Sequence, residues 1–68
     1  MDTDMFPEAP IPLRAQVSCV LREIRMRERV YPRWVADGRM SGEQSKSEIA
    51  CMYAVLTTLN DLLREGRT

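Results

Sequence analysis

Ile49, Met52, Leu56, Leu59 and Leu63 recur at steps of three, four, three and four. That spacing puts five apolar side chains on one stripe of a helix and continues as a heptad seam for about two repeats. Cys51, Val55 and Leu62 widen the stripe along one flank. Upstream, Ser41 and Gln44 fit the S-x-x-Q capping box, in which each side chain satisfies a backbone donor of the other. Downstream, Gly66 stands where a left-handed C-cap belongs. The pattern predicts a helix over about residues 42–65, with more apolar surface than a single partner helix can cover.

A second stripe precedes it. Leu13, Val17, Val20 and Ile24 recur at steps of four, three and four, and Leu21 broadens the face. Arg14, Arg22, Arg25 and Arg29 lie opposite, and Glu23 stands four residues before Arg27, a spacing suited to an intrahelical ion pair. Pro12 suits the start of this helix, where no backbone donor is missed. The stripe falters at Arg27 and Glu28, so either the helix leaves the core there or these side chains pair across an interface. Pro32 lacks the helical N–H and biases Tyr31 away from helical geometry. The simplest reading ends the helix near Val30 or Tyr31, with a short helical turn from Pro32 to a cap at Gly38. A continuous, kinked helix as far as Asp37 is the alternative.

Two helices joined by a short connection pack antiparallel. The expected fold is therefore all-α: a two-helix hairpin over residues 13–66 with a proline-marked bend. An acidic, proline-rich arm, residues 1–12, precedes it. Such a hairpin cannot cover both sides of its own seam, and 68 residues bury a small share of their surface. A homodimeric four-helix assembly, the preferred expectation, or a hydrophobic groove on a partner would cover the excess. Val17, Val20, Ile24, Ile49, Met52, Leu56, Leu59 and Leu63 are the expected core and dimer residues.

The remaining composition narrows the chemistry. With no His and two Cys, no structural metal site and no cofactor is expected. Cys19 and Cys51 lie on separate helices and could face each other; the preferred reading is two reduced, half-buried structural thiols in a cytosolic protein. There is no Gly-rich phosphate loop and no nucleophile beside a base, so no enzyme is expected. No apolar run approaches the roughly 20 residues of a membrane span. Net charge is zero, yet residues 13–39 carry seven Arg against Glu23, Glu28 and Asp37. The middle of the chain can meet an acidic surface, while the overall balance argues against nucleic acid as the partner.

The stretch Arg27–Met40 holds the only Trp and four of the nine Arg residues. Tyr, Trp and Arg are the residue types enriched in interface hot spots, and a proline bend would present them with little conformational cost. Arg25, Arg29, Tyr31, Arg33, Trp34 and Arg39 are therefore the candidate partner-binding residues. The competing reading has Trp34 plug the hairpin core and Tyr31 cap it; both readings hold together if Tyr31 and Arg33 point outward. A further alternative is a small nucleic-acid-binding regulator that uses the Arg-rich face of the first helix.

The string R-x-R-V-Y-P-R-W-V-x-x-G-R-M, followed by E-I-A-x-M-x-A-V-L-x-T-L, resembles small helical proteins encoded by phages and prophages of Gram-negative bacteria. The resemblance runs from about Leu21 to Leu59 and is densest from Arg27 to Met40. It implies a phage-encoded accessory protein in the host cytoplasm, and it transfers no activity. Small phage proteins of this size often bind and block a host protein, such as a quorum-sensing regulator, a pilus motor or a defence complex. The expected function is accordingly a non-enzymatic, homodimeric inhibitor or modulator of a bacterial host protein.

Overall fold

A computed structural model describes residues 10–66. It contains two helices, α1 (Leu13–Ala36) and α2 (Gly42–Arg64), packed against each other as a hairpin. Most of the arm, residues 1–9, lies outside the described residues.

Helix α1 begins after Pro12, whose carbonyl accepts the first two helical bonds from Ala15 and Gln16 at 3.0 and 3.1 Å. Pro12 has no side chain able to cap, and the Gln16 amide reaches back to the Ile11 carbonyl at 2.8 Å. From there α1 runs without a break through Pro32 to Ala36. This corrects the shorter helix ending near Val30 or Tyr31. Pro in a helix interior costs about 3 kcal/mol and leaves the carbonyl four residues earlier, that of Glu28, without its helical donor. Both Pro32 and Glu28 are exposed, so water reaches that carbonyl. The local penalty is outweighed because a continuous helix returns Tyr31 to the inner stripe, where it is 7% exposed.

That inner stripe reads Leu13, Val17, Val20, Ile24, Arg27, Tyr31. Leu13, Ile24 and Tyr31 are buried, and the two valines are half-buried. Arg27 is the position where the apolar pattern lapsed, and it pairs across the hairpin. Its Nε donates to Glu23 at 2.9 Å along the helix, and its Nη1 reaches Glu48 of α2 at 3.3 Å. Next to it, the Tyr53 hydroxyl of α2 donates to the Glu28 carboxylate at 2.8 Å. The two cross-links lie on opposite flanks of the hairpin and fix its register: residues 27 and 28 stand level with residues 48–53.

Helix α2 starts as its sequence suggests. The Ser41 hydroxyl accepts from the Gln44 N–H at 3.0 Å, although the return bond from the Gln44 side chain is not formed. Ile49, Met52, Leu56, Leu59 and Leu63 all turn toward α1, yet each is only half-buried, and α2 contributes no buried residue at all. On its flanks Tyr53 is 44% and Val55 40% exposed. The described hairpin is thus a single layer of helices, where stable domains usually close two.

Both thiols lie outside that packing. Cys19 and Cys51 are free and exposed, which corrects the half-buried structural role expected of them. Neither can reach the other: by the observed register Cys51 lies level with about residue 27, some eight residues and about 12 Å along α1 from Cys19. A disulfide needs Cα atoms within about 7 Å.

Candidate interaction surface

The connection between the helices is built by an unusually complete C-terminal cap. Gly38 takes a φ of 77°, which residues with a Cβ rarely adopt. Its N–H bonds the Val35 carbonyl at 3.1 Å, and the Arg39 N–H bonds the Trp34 carbonyl at 2.8 Å. Together with the Asp37 N–H on Arg33, these bonds satisfy three of the last carbonyls of α1. They also fold Arg39 back over Trp34, the residue whose carbonyl it caps. The Arg39 guanidinium carbon sits 5.1 Å from the Trp34 ring centre.

Trp34 in turn stacks on Tyr31, with centroids 5.6 Å apart and ring planes inclined by 29°. On the far side, the Arg27 guanidinium lies 5.9 Å from the Tyr31 ring. The order is therefore Arg27, Tyr31, Trp34, Arg39: two cations bracketing two stacked rings. Each cation–π contact is worth about 0.5–1 kcal/mol where water has access. Arg27 is the anchored end. Its hydrogen bond to Glu23, reinforced by the charges of Tyr31, Glu23 and Glu48, holds its guanidinium protonated above its ordinary range. Arg39 is the free end: it is exposed, and its only described partner is the indole face. Trp34 itself is half-buried.

This geometry divides the residues that the sequence grouped together. Tyr31 faces the hairpin interior and gives its ring to packing, so it does not point outward as a joint reading required. Trp34 and Arg39 remain at the surface beside the connection. Arg25, Arg29 and Arg33 are exposed on the opposite side of α1, in line with Arg22. They do not meet Trp34 or Arg39 in one patch. The candidate residues thus form two surfaces: a small aromatic–Arg knob at the closed end of the hairpin, and a straight row of Arg along the back of α1.

Sequence reasoning paired Arg27 with Glu23 and allowed Arg27 and Glu28 to pair across an interface, but missed the place of Arg27 against the Tyr31 ring. The lapse of the stripe at Arg27 was the available signal, since a charged residue on an inner face needs a partner. The same lapse marked Glu28, but nothing in the sequence named Tyr53, 25 positions away, as its partner.

Among the described residues, no three His, Cys, Asp or Glu side chains are grouped as they would be to hold a metal ion. No described helix is long and apolar enough to cross a membrane. No protein-family model, curated protein or solved structure matches the chain.

Proposed function

We propose that this chain is a non-catalytic interaction protein. It associates with a second copy through the uncovered flank of α2 and binds another protein through the Trp34–Arg39 knob. The observation that carries the reading is the incomplete burial of α2: its five seam residues and Leu62 are only half-buried, none is buried, and Val55 and Tyr53 are exposed on its flanks. Apolar surface left in that state is the usual mark of association. The knob adds rigidity. Its indole is held between a ring and a guanidinium, and its backbone is held by the Gly38 cap, so little ordering remains to be done on binding. The resemblance to phage-encoded proteins directs the second contact toward a protein of the bacterial host, with inhibition or modulation as its consequence, acting in the host cytoplasm.

The test separates the two contacts. Val55→Asp places a charge on a flank that α1 does not cover, so it should abolish self-association while α1 and α2 stay helical. Trp34→Ala should leave self-association intact and remove any host protein retained by the immobilised wild-type chain from nuclease-treated bacterial lysate. Retention of the same protein by both wild type and Trp34→Ala would exclude the knob. The nucleic-acid reading has one observation in its favour, the row of exposed Arg on α1, which has no acidic partner among the described residues. It requires binding that survives only without nuclease and falls steeply with salt.

A further inference from the structure

Four Arg along α1 differ in their contacts from Arg27, Arg39 and Arg64; Arg14, also exposed and without a described acidic partner, lies about two turns upstream of them. Arg27 bonds Glu23 and Glu48, Arg64 pairs with Asp61, and Arg39 lies on an indole. By contrast Arg22, Arg25, Arg29 and Arg33 are all exposed, and none has a described acidic partner. Their steps of three, four and four keep them on one side of the helix. At 1.5 Å per residue the row is straight and about 16 Å long. Glu23, Glu28 and Glu48 are bonded on the flanks of the hairpin instead, and the carboxylate of Asp37, four residues after Arg33, makes no described bond to it.

We infer that this row is a docking surface for an acidic helix of a partner protein, one whose carboxylates repeat at helical steps along a single face. The inference rests on the reading of the chain as a protein-binding module, and it names the chemistry of a second partner contact. Carboxylates borne on a helix at three- and four-residue steps have the same rise as the row and can meet it residue for residue when the two helices lie side by side. The guanidinium fork suits a carboxylate better than a point cation does, and all four positions are Arg. Two observations favour this partner over a nucleic acid. Net charge is zero, which argues against a chain that coats nucleic acid generally. The described aromatic rings lie elsewhere: Tyr31 is buried in the hairpin, Trp34 is stacked on it and Tyr53 of α2 bonds Glu28, so among the described residues the row carries no platform for unpaired bases.

Fluorescence anisotropy on the full chain tests this with three probes. The first is a synthetic helical peptide with Glu at alternating four- and three-residue steps on one face. The second is an isomer of the same composition with its Glu residues spread around the helix. The third is a short DNA duplex. The one-faced peptide should bind more tightly than its isomer, and Arg25→Glu with Arg29→Glu should weaken it by roughly tenfold or more. Both substitutions are on the exposed back of α1, and circular dichroism should show unchanged helicity. Equal binding of the two peptides would overturn the inference by showing attraction without geometric match. So would binding of neither, or a duplex that binds tighter than the one-faced peptide and is lost between about 50 and 200 mM salt. Self-association and the Trp34-dependent contact are read separately by sedimentation and by Trp34→Ala, so failure here leaves those results standing.

Discussion

The two helices of this hairpin carry similar apolar patterns and bury them very differently. Among the described residues α1 supplies all three buried side chains, Leu13, Ile24 and Tyr31, whereas α2 supplies none despite its cleaner seam. Regular spacing decides which way a side chain turns; how far it is removed from water depends on what stands opposite. In a single layer, the centre of one helix can be enclosed by the flanks of the other, but the reverse enclosure then needs a further element. α1 therefore supplies the buried centre of the described hairpin, and α2 is the half left partly uncovered, the face proposed to meet a second copy.

That division can be broken experimentally, and the largest effect should come from the centre of α1. Ile24→Ala removes a side chain that is only 3% exposed. It should cost about 2–4 kcal/mol, read as a large fall in the thermal midpoint by circular dichroism. The matching change on α2, Val55→Ala, should cost well under 1 kcal/mol in the isolated hairpin but weaken self-association. Equal losses of hairpin stability at both sites would erase the contrast.

A smaller effect is expected at the closed end. Gly38→Ala puts a Cβ on a residue with a φ of 77°, and although nothing lies close to the added carbon, the backbone conformation itself is unfavourable. A loss of about 1 kcal/mol should appear in urea unfolding. Trp fluorescence should also change, because the cap that lays Arg39 over Trp34 would loosen. Unaltered fluorescence would separate the knob from its cap.

Arg27 should matter less than its central position suggests. Its carboxylate partners are substantially exposed, so the pair is screened by water. Glu48→Gln should cost about 0.5 kcal/mol or less, with an effect that shrinks as salt is added.

The smallest effect concerns pH. The hydrogen bond to Glu28, with its negative charge and slight desolvation, raises the Tyr53 phenol above its ordinary value near 10. A raised folded value means that the contribution is fully present below the unfolded pKa and is lost as pH rises through the folded one. Between neutral pH and the range above 10, the wild type should therefore lose slightly more stability than Tyr53→Phe. Parallel unfolding profiles for the two would show that the bond adds nothing to stability.

The helical hairpin was legible in the sequence because each helix carries its own period and its own punctuation. Steps of three and four marked both inner faces, Ser41 marked the start of α2, and Gly38 marked a left-handed cap, although the simplest reading assigns that cap to a short turn after Pro32 and only the alternative of a continuous helix puts it at the end of α1. What was not legible depended on contacts between distant residues. Pro32 argues locally for a helix end, and the burial of Tyr31 reverses it. The exposure of Cys19 and Cys51 was misjudged for a different reason: both stand at the edge of a stripe, and membership of an apolar neighbourhood was read as burial. The candidate residues were selected by type from a contiguous stretch, but a helix sends consecutive residues to different sides. That is why Trp34 and Arg33, adjacent in sequence, belong to different surfaces.

The most direct test of the account is the mass of the full chain in solution, measured by sedimentation equilibrium over a wide range of concentration. The account predicts a concentration-dependent species of twice the 7.9 kDa chain mass, reduced to a helical single chain by Val55→Asp. A wild-type chain that stays at 7.9 kDa and fully helical at every concentration would contradict it, because the exposed flank of α2 would then need no second copy to cover it.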